Sequence, residues 1–216
     1  GPGIRIATYN VGAAIAPRNR ADLEYNAYTL RRWMAAHSID VLILTETNTH
    51  PSQQKTLQYH YTSSNSDLPD THCFWSHRQP SNDGLRGGIG ILVDTSRYPK
   101  SSLQLEDAEP NGRGLLISIL LPTTTLYICG LYNATGATAG PAALEAMALK
   151  QWLDKHRDTT IQHHPLITGG DLNAAHQLPD RSTYKLHSYD TAHYSLPAHL
   201  HNCLLYTSDA ADDPAS

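Results

Sequence analysis

The feature that most constrains this chain is a set of short strand-like runs, each stopping on a polar residue capable of chemistry. Val41-Leu-Ile-Leu44 gives way to Thr45-Glu46-Thr47, and Pro165-Leu-Ile-Thr168 leads into Gly169-Gly-Asp-Leu-Asn173. Residues 4–10 alternate, are β-rich and end at Asn10-Val-Gly12, while residues 125–131 run into Tyr132. The first two runs are too short for buried helices and read as buried strands, the first of them a continuous apolar run. Strand ends on a rigid scaffold are where loops mount reactive groups. Asn10, Glu46, Tyr132, Asp171 and Asn173 are therefore the candidates for chemistry.

The rest of the chain supplies the layers such strands need. Residues 22–37 place Leu23, Leu30, Trp33 and Met34 at helical spacing, and residues 141–156 do the same with Leu144, Met147, Ala148 and Trp152 behind Pro141. Residues 72–77 and 87–93 read as further strands; residues 113–121 and 125–131 form a hairpin around Pro122-Thr-Thr. A Ser/Asn/Asp/Pro-rich loop covers residues 63–70. Strands and helices mixed in this way predict a layered α/β domain of the α+β kind. There is no internal repeat, low-complexity tract or interdomain linker.

Composition excludes some classes. With 40% hydrophobic and 17% charged residues, general disorder is not expected. The longest strong apolar run, Gly114-Leu-Leu-Ile-Ser-Ile-Leu-Leu121, falls far short of the ~20 residues of a membrane span. Three cysteines, odd in number and unevenly spaced, make no disulfide framework, so Cys73 and Cys129 are expected to pack in the core of an intracellular protein. A net charge of −4 leaves a nucleic-acid partner open, because local basic patches count for more than the total. No leader or initiator Met precedes the first strand, so the chain reads as a domain lifted out of a longer frame.

One Asn, two carboxylates and a second Asn make a donor set suited to a hard divalent cation, not to a Cys/His zinc centre. His193, His199, His201 and Cys203 do not follow a common zinc spacing. Taken singly, Glu46 reads as a surface charge and Asn10 as a turn residue.

Together with their neighbours they resemble a family. Thr-Tyr-Asn-Val (8–11), Leu-Thr-Glu-Thr (44–47), Gly-Gly-Ile-Gly-Ile-Leu-Val (87–93), Gly-Leu-Tyr-Asn (130–133) and Gly-Gly-Asp-Leu-Asn-Ala-Ala-His (169–176) occur in the order of the endonuclease/exonuclease/phosphatase, or DNase I-like, superfamily. Gly-Asp-Leu-Asn is the most specific piece. The flavour is similar to the endonuclease domains of non-LTR (LINE-type) retrotransposons, on the strength of residues 87–92, Asp180-Arg-Ser-Thr183 and Tyr189-Asp-Thr-Ala-His193.

The resemblance implies a four-layer sandwich of two mostly antiparallel β-sheets flanked by helices, with the site at one end between the sheets. It implies Glu46 as principal ligand of Mg2+ (or Mn2+), with Asn10 beside it. Asp171 would deprotonate the attacking water, Asn173 would hydrogen-bond the scissile phosphate, and Tyr132 would steady the phosphate or the departing oxygen. His176 would support the site, and Arg18, Arg20 and Arg86 are candidates for DNA-backbone contact. The implied activity is nicking of DNA by a retroelement endonuclease, with a reverse transcriptase on the same chain and a nuclear location in a eukaryote. A phosphoinositide or other small phosphoester remains an alternative substrate, and an inactive nucleic-acid-binding relative an alternative function.

The sequence departs from the family at three points. A later strand bearing an Asp and a Ser-Asp-His motif are expected but not found, since Ser208-Asp209 is followed by Ala210. Thr135 stands where an Asn is expected three residues after Tyr132. Finally, Cys203-Leu-Leu-Tyr-Thr-Ser-Asp-Ala-Ala-Asp-Asp213 resembles translated sequencing adapter. That makes residues 1–202 a domain incomplete at its C-terminus and residues 203–216 a non-native tail. The 216 residues alone are then expected to be poorly soluble, with little or no nuclease activity.

Overall fold

A computed structural model describes residues 3–12, 15, 20–62, 68–78, 87–133 and 141–172, apart from the side chains of Arg20 and Ala142. Its elements are β1 (Ile6–Asn10), α1 (Arg20–His37), β2 (Val41–Thr45), α2 (Gln54–Thr62), β3 (Thr71–Ser76), β4 (Ile89–Asp94), β5 (Leu103–Ala108), β6 (Gly114–Leu120), β7 (Thr125–Tyr132), α3 (Pro141–His156) and β8 (Leu166–Asp171). The strands form two four-stranded sheets among the described residues, in the orders β1-β2-β4-β3 and β5-β6-β7-β8. Each sheet ends in one parallel pair, β1 with β2 and β7 with β8, and is otherwise antiparallel.

Strand β2 shows why the apolar tetrad is uninterrupted. Val41 and Ile43 face the other sheet, packing with Ile89 and Ile91 of the neighbouring β4 and with Leu115, Ile117 and Ile128 opposite. Leu42 and Leu44 point the opposite way, into Leu23, Ala27 and Met34 of α1 and Leu57 and Tyr61 of α2. Behind the second sheet, Leu116, Cys129 and Leu131 meet Leu149, Trp152 and Leu153 of α3. The order of layers is helices, sheet, sheet, helix: the four-layer sandwich expected from sequence. Cys73 and Cys129 are buried in the core, as expected. Among the described residues, no helix is long and apolar enough to cross a membrane.

Several local expectations need correction. Trp33 is on the rim of α1, its ring 6.3 Å from that of Tyr9 and 5.3 Å from that of His37. On α3, Leu144 and Met147 are exposed, and the buried stripe is Leu149, Trp152, Leu153 and His156. That stripe follows i, i+3, i+4, i+7 spacing, whereas Leu144 and Met147 sit on the other side of the helix. Strand β8 runs through Gly169 and Gly170 to Asp171, so the Gly-Gly-Asp segment lies inside the strand and not after it. Two elements were not anticipated: α2, whose QKTLQYHYT sequence buries only Leu57, His60 and Tyr61, and β5, whose alternation is broken by a bulge between Leu105 and Asp107.

Helix α3 is tied to strand β5 by a polar latch. Trp152 Nε1 donates to Asp107 Oδ2 at 3.0 Å, and His156 Nε2 lies 2.8 Å from the same oxygen. Burial alone would raise the Asp107 pKa, but hydrogen bonds from His156, the Ala108 backbone and Trp152 outweigh it and hold the carboxyl below its usual value. A depressed carboxylate pKa adds stability above the unfolded value of about 3.9, and this is lost as pH falls through the folded value. Asp107→Asn should therefore lower stability at pH 7 by about 1 kcal/mol, the low end for a partly exposed charged partner. Thermal melts between pH 3 and 7 should show a shallower acid limb in the variant.

Candidate active site

The two parallel pairs bring the ends of four strands together. Asn10 stands opposite Thr45 at the end of the β1–β2 pair, and Glu46 follows at once. Tyr132 stands opposite Asp171 at the end of the β7–β8 pair. The sheets approach closely below these ends because glycine faces the interface. A Cβ on Gly169 would come within 2.7 Å of Thr8 Cγ2 and 2.9 Å of Ile43 Cδ1. One on Gly130 would lie 2.9 Å from Ile89 Cγ2.

That approach allows one amide to span both sheets. Asn10 Nδ2 donates to Glu46 Oε1 and to Asp171 Oδ2, each at 3.1 Å, while Asn10 Oδ1 accepts the Gly12 N–H at 3.0 Å. Tyr132 reaches across from the other sheet and donates its phenol to Glu46 Oε1 at 3.0 Å. Burial pushes the Tyr132 phenol above its usual range, and the charge of Glu46 and its hydrogen bond push the same way. The Arg113 guanidinium opposes them. The net effect keeps the phenol a hydrogen-bond donor at neutral pH.

Glu46 is held by its loop. Its φ is +54° and that of Asn48 is +45°, both in the left-handed region. Thr47 and Asn48 donate backbone N–H groups to Gly88 O (3.2 Å) and Gly87 O (2.8 Å), and Gly87 N–H donates to Asn48 Oδ1 at 3.0 Å. The Gly87-Gly88 pair thus clamps the turn carrying Glu46, and β4 begins only afterwards, at Ile89.

Of the residues singled out from sequence, Asn10, Glu46, Tyr132 and Asp171 converge. Asn173, His176, Arg18 and Arg86 lie outside the described residues, as do Thr135, the His193–Cys203 group and the tail; Arg20 is the first residue of α1. Sequence reasoning missed Arg113, whose guanidinium carbon lies 4.9 Å from the centre of the Tyr132 ring. Its only local signal was an arginine between two glycines at the start of a buried strand.

Among the described residues, no three His, Cys, Asp or Glu side chains cluster as a metal cage. The oxygen ligands that converge are the two carboxylates, with the Asn10 Nδ2 and the Tyr132 phenol donating hydrogen bonds to them. They fit Mg2+ or Mn2+, which bind through one or two carboxylates and keep several waters, and would not satisfy a structural zinc.

Two facing sheets between helix layers thus bring two carboxylates, an amide and a phenol together at their strand ends. The chain belongs to the endonuclease/exonuclease/phosphatase family, whose profile matches residues 7–214. Among solved structures it is similar to the AP endonuclease LMAP from Leishmania major (18% identity, TM-score 0.64), covering 92% of this chain and 66% of that one. It is also similar to an AP endonuclease from Archaeoglobus fulgidus (15%, TM-score 0.57; 91% and 71% covered). The endonuclease domain of TRAS1, a telomere-specific non-LTR retrotransposon, matches with 15% identity and TM-score 0.52, covering 92% of this chain and 73% of that one. No curated protein matches the chain by sequence. At these identities the similarity shows the fold.

Proposed function

We propose that the chain is a divalent-metal-dependent phosphodiester hydrolase that nicks DNA, and that it serves as the endonuclease of a retroelement polyprotein. The observation that carries this reading is the Asn10 amide shared by Glu46 and Asp171, with the Tyr132 phenol on Glu46. Both carboxylates are fixed at one point between the sheets by that shared amide, and Glu46 also accepts the Tyr132 phenol. The nuclease names of the structural relatives favour DNA over a small phosphoester.

Glu46 would hold Mg2+ or Mn2+, with Asn10 alongside. When bound, the cation would neutralise charge developing on the phosphate oxygens. Asp171, oriented by the Asn10 N–H, would take the proton from the attacking water. Tyr132 is a preorganised donor that would act on the phosphate or the departing oxygen, and Asn173 would do so from the segment after β8. A basic approach from Arg18, Arg20 and Arg86 would add sequence-blind affinity for the backbone. Such an enzyme would work inside the cell, in the nucleus if the element is eukaryotic, beside a reverse transcriptase.

The test compares supercoiled plasmid, a soluble phosphoinositide headgroup and a chromogenic phosphodiester, each with Mg2+. Because the chain spans 66–73% of the three relatives' lengths, protein is used in excess with long incubation, so that slow cutting is seen. Nicking of plasmid in preference to the small esters is expected; preferential turnover of either small ester would overturn the DNA reading. Tyr132→Phe should lower the rate by on the order of 10²–10³, the usual cost of losing one such donor.

A further inference from the structure

Arg113, Glu145 and Arg78 form a buried ionic cluster that the roles above do not use. Arg113 Nε donates to Glu145 Oε2 at 2.7 Å, and its Nη2 lies 2.6 Å from the same oxygen. Arg78 grips the carboxylate with both ends of its fork, at 3.1 Å to Oε2 and 3.0 Å to Oε1. Arg113 is 1% exposed. The three members of the cluster come from separate layers: Arg78 follows β3 of the first sheet, Arg113 precedes β6 of the second, and Glu145 is on α3.

Arg113 is also bound to Tyr132 twice. Tyr132 N–H donates to Arg113 O at 2.9 Å, extending the β6–β7 ladder by one bond, and the guanidinium lies over the Tyr132 ring. Arg113 Nη1 is buried and takes no hydrogen bond among the described residues. The face of the Tyr132 ring, 4.9 Å from the guanidinium carbon, is a further neighbour that suits the cation. A buried Arg–Glu–Arg cluster contributes little net stability compared with apolar residues of similar volume. Fixing one aromatic ring is what its geometry does supply.

We propose that Arg113, gripped by Glu145, is the positioning residue for Tyr132, setting the ring so that its phenol points at Glu46. The proposal rests on the role given to Tyr132 above. It acts through placement: a phenol displaced by about 1 Å would cost on the order of 10² in rate. The guanidinium is rigid and planar, so a lysine ammonium would restore the charge without the stacked plane.

The experiment labels the chain with 3-fluorotyrosine and assigns the Tyr132 fluorine resonance as the one missing from Tyr132→Phe. Arg113→Gln, or Arg113→Lys if Gln does not fold, is expected to shift or broaden that resonance while the other tyrosines stay in place. Glu145→Gln should produce a smaller change in the same resonance. In plasmid nicking, Arg113→Gln should lower kcat by roughly 10–100-fold at unchanged KM, and should add little to the loss already caused by Tyr132→Phe. A Tyr132 resonance unmoved by any of the three substitutions overturns the proposal, as does a fully additive double variant. If the unsubstituted chain does not nick plasmid, the phosphodiesterase reading falls, and the fluorine spectrum alone decides the placement of the ring.

Discussion

Glu46→Gln is expected to weaken Mn2+ binding by more than the roughly 10–100-fold that loss of an outer partner costs, and to leave the fold intact. Glutamine keeps the side chain's length, its left-handed backbone needs no change, and its amide oxygen can still accept the hydrogen bonds from Asn10 and Tyr132. What disappears is the negative charge. If the cation supplies about 4 kcal/mol of transition-state stabilisation through this carboxylate, nicking falls on the order of 10³. Titration calorimetry with Mn2+ measures the binding, and a melting curve within about 0.5 kcal/mol of the unsubstituted chain rules out unfolding as the cause. Unchanged Mn2+ affinity would remove Glu46 from the proposed metal site.

Gly170→Ala should produce the largest loss of stability in the described part of the chain. Gly170 has φ +142°, and a Cβ there would lie 1.9 Å from Leu131 O and 2.8 Å from Leu131 C. The obstacle is the backbone of β7 itself, so no side chain can turn aside. The parallel β7–β8 pair would have to separate, and with it the opposition of Tyr132 and Asp171. A cost above about 4 kcal/mol belongs to this short list of mechanisms, and it is a large fraction of the 5–15 kcal/mol that a domain has in total. Gly12→Ala is the control. Gly12 also has positive φ, +51°, but a Cβ there would meet nothing within 4 Å, so only the conformational cost of about 1 kcal/mol applies. Urea unfolding followed by circular dichroism should separate the two; equal midpoints would show that the Leu131 contact can relax.

These two positions also show how far the sequence could be read. Glu46 was legible because a carboxylate one residue beyond a four-residue apolar run falls just past the end of the strand. Asp171 and Tyr132 were legible as polar residues closing strand-like runs, and the parallel pairing of β7 and β8 sets them side by side. Gly170 was visible as part of a motif, but not as a residue inside a strand whose neighbour's carbonyl fills the space of a side chain. Helix α2 escaped notice because three buried side chains in nine residues give too weak a period. Strand β5 escaped because its bulge breaks the alternation on which a strand is recognised. The exposed Leu144 and Met147 show the limit of periodicity: two stripes on α3 looked apolar, and only packing decided which was buried. The Arg78–Glu145–Arg113 cluster spans 67 residues of sequence, and no local pattern joins its members.

The most direct test of the account is the single-turnover rate of plasmid nicking by the unsubstituted chain and by Asp171→Asn, with Mg2+ and with Mg2+ removed by EDTA. Asparagine keeps the shape at the end of β8 but cannot take a proton from water. Slow nicking is expected that stops in EDTA and falls on the order of 10³ in Asp171→Asn, the size expected for removing a positioned base. Nicking that survives EDTA, or that proceeds equally in Asp171→Asn, would show that the strand-end cluster is not the centre that cuts.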